Sequence, residues 1–193
     1  MIPAGVFHCA FAEHYVWWMT GKQGRHRRTE RVLPILVNKG FLKTIKVGKK
    51  NLYTTPDRMR LAQSGRELAI NPYHGLACTD ILQSCIMADP TGTVLSENSC
   101  RANRWGCVPE WAIRYDNATA LLLEFCTQDN VDQAKVPYKV ARYKDALVEI
   151  DDSLQAKVTV LFVLDISKDK LPQLDDPFKV IDYRTFKERY PYG

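Results

Sequence analysis

The stretch "VPEWAIRYDNATALLLEFCTQDN", residues 108–130, decides the fold of the C-terminal half. Two β-prone runs, "VPEWAI" and "ALLLEF", flank polar residues at Asp116 and Asn117, the pattern of an antiparallel hairpin. The second run is almost continuously apolar, as is "KVTVLFVLD" further on, and such runs belong in the middle of a sheet covered on both faces. A carboxylate marks the outer end of each arm. Glu110 opens the first and Glu124 closes the apolar part of the second, so a turn centred near residue 117 sets them opposite one another. If the two carboxylates point apart, or are sealed by Phe125 and Trp111, catalysis at this pair is excluded.

On either side of the hairpin the apolar period changes from two to that of a helix. "LACTDILQSCIMADP" spaces Leu76, Ile81, Leu82, Cys85 and Ile86 as a packed helix stopped at Asp89–Gly92. "DNVDQAKVPYKVARYKDALVEI" places Val136, Val140, Tyr143 and Leu147 at steps of four, three and four. The tail "FKVIDYRTFKERYPYG" adds a strand and a short helix. The order helix, strand, strand, helix, strand predicts an α/β (α+β) domain with a central mixed sheet over residues 73–193.

The N-terminal part, residues 1–72, reads as a separate domain, with its boundary near Asn71 and Pro72. Phe7, Phe11, Tyr15 and Trp18 form one stripe of a helix over 5–19. A second helix in "TERVLPILVNKGFL" faces the core with Val32, Ile35 and Leu36 and stops at Gly40, although Pro34 lies inside it. "KTIKVGKKNLYTT" is a hairpin tipped by Gly48, Lys49 and Lys50. Helix, basic helix and basic hairpin are the parts of a winged helix-turn-helix, with one helix fewer than the full motif.

Charge supports a polyanionic partner for this part. The segment from Lys22 to Arg60 holds twelve Lys and Arg against two acids, in a chain of net charge +5, so the rest of the chain is net negative. Neutralising phosphates releases counterions and drives binding, which makes double-stranded DNA the expected partner. Arg25, Arg27, Arg28 and Arg31 at the start of the second helix, with Lys43, Lys46, Lys49 and Lys50 on the wing, are the expected contacts. The rival reading is a solvated basic surface with no ligand.

Six cysteines are scattered in apolar contexts, in a chain large enough to be stable without disulfides, so reduced thiols are expected. The seven-residue steps Cys78–Cys85 and Cys100–Cys107 near His74 are wider than the pairs structural zinc sites use. His14 and His74 lack a nucleophile or acid at catalytic spacing and read as structural. Trp17, Trp18, Trp105 and Trp111 read as core or interface residues, although Trp105 beside Arg104 has the chemistry to stack on a nucleotide. No apolar run is long enough to span a bilayer, and no basic leader precedes the apolar N-terminal stretch, so the expected location is cytoplasmic.

Helix, "PE" strand, turn, "LLLEF" strand and a helix bearing "KVARY" (139–143) together resemble the PD-(D/E)xK nuclease fold. With the winged helix and "HGLACTDIL" (74–82), residues 5 to 165 resemble the replication-relaxation family of plasmid and mobile-element proteins. The resemblance implies that Glu110 and Glu124 stand at the two acidic positions of a magnesium or manganese site, with Glu97 as a further carboxylate. The motif's lysine, two residues after the second acid, is Cys126 here, so Lys135 or Lys139 on the next helix would have to supply the ammonium group. A Glu at the end of a buried strand also pairs with a Lys or Arg of a neighbouring helix for purely structural reasons, here Lys139 or Arg142.

Three functions are weighed on these residues and on the resemblance. The first is a DNA-binding protein of a plasmid, phage or mobile element with an inactive or specialised nuclease-like domain, for which a relaxase, a replication initiator or another DNA-processing protein is a candidate partner. The second is a metal-dependent endonuclease or nickase using Glu110, Glu124 and Lys139. The third is a homodimeric transcriptional or copy-number regulator.

Overall fold

The computed structural model describes residues 10–20, 27–55, 72–103, 105–132 and 134–189. The chain is mixed α/β and divides into two compact units, 1–80 and 81–193. The division falls inside a helix that begins at the expected boundary, with Pro72 as its first residue, where its missing N–H costs nothing.

In the first unit, strand β1 (Ala10–Phe11), helix α1 (Ala12–Thr20), helix α2 (Arg27–Asn38) and strands β2 (Lys43–Val47) and β3 (Lys50–Thr54) follow in order. The antiparallel sheet is ordered β1-β3-β2. Of the helix expected over 5–19, residues 5–9 lie outside the described residues, and within them it begins at Ala12, because Ala10 and Phe11 are extended to pair with Tyr53 and Leu52. His14 holds that change of direction. Its Nδ1 accepts the Phe11 N–H at 3.0 Å and its Nε2 lies 3.0 Å from Asp80, at the end of this unit. Tyr15 meets Tyr53 edge-on, with ring centroids 6.2 Å apart.

Helix α2 persists through Pro34, which lies on its exposed face. Its buried face is Thr29 and Leu33, one position round from the expected stripe, and Ile35 is left 51% exposed. The helix ends as Gly40 predicts. Gly40 adopts φ 76, its N–H donates to the Val37 carbonyl, and the Phe41 N–H donates to the Leu36 carbonyl, so two otherwise orphaned carbonyls are satisfied. A two-residue turn, Gly48 and Lys49, joins β2 to β3, and Gly48 at φ 58 supplies the left-handed backbone that such turns need.

The second unit is built on a five-stranded sheet ordered β4-β5-β6-β7-β8. Helix α3 (Pro72–Ala88) leads to β4 (Thr93–Ser96) and the short α4 (Glu97–Ala102), neither of which the sequence reading resolved. The hairpin follows as β5 (Trp111–Arg114) and β6 (Thr119–Cys126), then α5 (Gln128–Asp132), α6 (Lys135–Leu154), β7 (Lys157–Leu164), β8 (Phe178–Asp182) and α7 (Tyr183–Arg189). The expected single helix over 129–150 is two, since Ala134 at φ 53 breaks it ahead of Lys135.

Strands β4 to β6 are antiparallel, while β6, β7 and β8 run parallel, with α6 crossing from β6 to β7. The central pair β6 and β7 is apolar on both faces. Ala120, Leu122 and Cys126 join Val158, Val160, Phe162 and Leu164 in a core closed by Val136, Val140, Tyr143, Ala146 and Ile150 of α6. On the far face Phe125 packs edge-on against Tyr183 of α7 at 5.3 Å. Arg114 ties the end of α6 to β5 by donating to the Leu154 carbonyl at 2.7 Å, and the Val158 N–H donates to Asp151 at 3.0 Å. Among the described residues no helix is long and apolar enough to cross a membrane.

Candidate functional site

The hairpin register brings the two glutamates together. Trp111 pairs with Leu123 and Arg114 with Ala120, the alignment expected for a turn centred near 117. Glu110 lies one residue before the ladder, and its N–H donates to the Leu123 carbonyl at 3.0 Å. The turn holds this register through Asn117, whose side-chain oxygen accepts the Thr119 N–H at 3.1 Å and the Thr119 hydroxyl at 2.6 Å.

Side chains of a strand alternate between faces, so Glu124 shares the α6 face with Leu122 and Cys126. Phe125 and Trp111 lie toward the opposite face and do not seal the pair. The cover comes from α6 instead. Lys139 and Tyr143, four residues apart, stand on the same side of the helix and both reach Glu124. The Lys139 ammonium donates to Oε2, and the Tyr143 hydroxyl donates to Oε1 at 2.6 Å. Glu124 is 2% exposed and the Lys139 side chain 31%.

Burial pushes the Glu124 carboxyl above the ordinary carboxylate range, against the attraction of Lys139, and the nearby Glu110 charge pushes the same way. For Lys139, burial acts to lower the ammonium's value. The attraction of Glu124 outweighs it and holds the group above its ordinary value. Burial, with Glu124 beside it, raises the Tyr143 hydroxyl far out of reach, so it acts only as a neutral donor. Cys126, two residues after Glu124, is a fully buried thiol raised by burial to about 11. Cys107 is likewise raised to about 11, first by burial and then by Glu124. Neither thiol supplies the positive charge that a lysine would.

A divalent ion needs carboxylate oxygens facing an open coordination sphere. Both oxygens of Glu124 are engaged by Lys139 and Tyr143, and the group is sealed, so as arranged the donor set does not fit magnesium or manganese. Glu110 is half-buried, and its charge is felt at Glu124, Cys126 and Lys139. Glu97 is the first residue of α4. Lys135 is exposed and donates to Asn130 at 2.8 Å rather than to either glutamate. Arg142, the other partner considered for Glu124, donates instead to the Tyr138 hydroxyl and to the Gly106 carbonyl. The sequence pattern marks Tyr143 as a core position of the helical stripe and not as a donor to Glu124; its spacing of four from Lys139 is the signal that points to the second role.

In the first unit, Arg27 and Arg31 are exposed on α2 and Lys43, Lys46 and Lys49 on the hairpin. Lys50 is different, because it pairs with Glu13 at 2.5 Å and lies over the Phe11 ring at 5.1 Å. Arg25 and the Arg28 side chain lie outside the described residues, as do Arg104 and the side chains of Trp17 and Trp18. Trp105 and Trp111 are core residues, each 1% exposed. His74 and Cys78 are one turn apart on α3, with Sγ 3.6 Å from Nδ1, and the five described cysteines are free thiols. No protein-family model, curated protein or solved structure matches this chain.

Proposed function

We propose that the chain is a double-stranded DNA-binding protein of the replication-relaxation kind, with an N-terminal winged helix and a nuclease-like C-terminal domain that serves as a scaffold. It acts in the replication or mobilisation of a plasmid, phage or other mobile element, or in its regulation. The observation that carries the DNA-binding part is the exposed positive charge shared by α2 and the β2–β3 hairpin. Strand β1 ahead of α1 supports it further, since a strand, two helices and a hairpin in a β1-β3-β2 sheet match the winged-helix order once its first helix is set aside. In the second unit a helix, three antiparallel strands with α4 between the first two, a further helix and a parallel strand support the nuclease-like reading.

The convergence of Glu110, Glu124 and Lys139 favours the nuclease resemblance, while the sealed Glu124 favours structural use of that site. Two measurements test the reading. Changing Lys46 and Lys49 together to Glu should weaken duplex binding and flatten its salt dependence by about one unit of slope per lost phosphate contact. Unchanged affinity and slope would remove the wing from the interface. Plasmid DNA incubated with the protein and magnesium should stay intact; nicking that Glu124→Gln abolishes would replace the scaffold with an endonuclease.

A further inference from the structure

Helix α6 carries its charges in two blocks. "KVPYKVARYK" (135–144) holds Lys135, Lys139, Arg142 and Lys144 with no acid, and "DALVEIDDSL" (145–154) holds Asp145, Glu149, Asp151 and Asp152 with no base. Both blocks oppose the helix dipole, which favours acids near the N-terminus and bases near the C-terminus. A helix whose charges break the local rule is expected where a different requirement sets them.

The basic block has a structured outer flank. Residues 135, 138 and 142 are three and four apart and share one face. Tyr138 is 61% exposed there, although Tyr143 on the same helix is buried. The Arg142 guanidinium lies over the Tyr138 ring at 5.8 Å and donates to its hydroxyl at 3.0 Å. Among the described residues, the other hydrogen bonds of this flank also go to neutral groups, from Lys135 to Asn130 and from Arg142 to the Gly106 carbonyl. The flank therefore offers two cations held by neutral partners around an exposed aromatic ring backed by a guanidinium.

We propose that this flank of α6 binds an unpaired stretch of DNA, with Lys135 and Arg142 on phosphates and a base stacked on Tyr138. A duplex keeps the faces of its bases stacked on one another, whereas an unpaired strand presents them to an exposed aromatic ring, and such stacking is sequence-tolerant. This surface is distinct from the duplex-binding one on the first unit and stands whether or not Glu124 takes part in chemistry.

The test is fluorescence anisotropy of labelled oligothymidylate with the full chain, repeated in the chain carrying Lys46→Glu and Lys49→Glu to remove the wing. Tyr138→Ala should weaken binding roughly tenfold, and Tyr138→Phe should keep it, because the ring does the stacking. Lys135→Gln should lower the slope of log affinity against log salt by about 0.7. Duplex binding should be the same in all three variants, so its loss in the wing variant alone bears on the winged helix and not on α6. Tyr138 is exposed, and equal melting temperatures will show that each variant folds. Oligothymidylate affinity that does not change in Tyr138→Ala overturns the proposal, as does tighter binding of oligouridylate, which would make the strand RNA.

Discussion

The molecule contains two hairpins that the sequence announces in much the same way, as β-prone runs about a polar turn, and they handle charge in opposite manners. In β2–β3 the lysines stand in solvent, with Lys46 and Lys49 exposed and Lys50 in a surface pair with Glu13. In β5–β6 the charge at the end of the second strand is buried and met from α6 by an ammonium and a hydroxyl. The turns differ too: Gly48 takes the left-handed conformation in the first, while Ala118 takes it at φ 57 in the second. Exposed charge is free to act on a partner and contributes little to folding, whereas buried charge is tied to the fold and has little freedom to act.

Removing the ammonium is the strongest way to break this comparison. Lys139→Met leaves Glu124 buried with no opposing charge and should destabilise the protein by about 3–5 kcal/mol near neutral pH. The sign of the pH dependence follows from the raised carboxyl. A group raised in the folded state lends its full stability below its ordinary value of 4.5 and loses it as pH rises through the folded value, so the deficit should shrink in acid. Urea unfolding between pH 5 and 8 reads this directly, and a deficit that ignores pH would mean Glu124 is not the group left behind.

The turns sharpen the comparison with smaller effects of opposite sign. A Cβ at Gly48 meets nothing within 4 Å, so Gly48→Ala isolates the backbone cost and should lose roughly 1–2 kcal/mol. Ala118→Gly relieves the same kind of strain and should gain about 0.5–1 kcal/mol, reduced by the greater freedom of glycine in the unfolded chain. Both shift the midpoint of urea unfolding, and a loss from Ala118→Gly would show that the alanine methyl is needed in the turn.

Much of this architecture was legible. The Asp116–Asn117 turn set the hairpin register, and the near-continuous apolar runs around it and in "KVTVLFVLD" marked the central strands, because a run apolar on both faces belongs in the middle of a covered sheet while the turn centre selects its alignment. The short elements were not legible: β4 and α4 are too brief to show a period, and the extended Ala10–Phe11 pair sat inside a helical spacing that only pairing with Tyr53 overrides. Of the site, the approach of Glu110 and Glu124 followed from register, while Lys139 was one of three candidates with Lys135 and Arg142, which helix spacing alone does not separate. What sealed Glu124 did not follow, since Tyr143 had been counted as core and not also as a donor.

The depth at which Glu124 sits also bears on how β6 finds its place during folding. Leu121, Leu122, Leu123 and Phe125 are close enough in character that a strand displaced by one residue would still bury apolar side chains between β5 and β7. Displacement would turn the carboxylate away from Lys139 and Tyr143, leaving a charge in the sheet with nothing to receive it. The one acidic residue in that run therefore works as a checkpoint on assembly, penalising misaligned sheets that the leucines alone would tolerate.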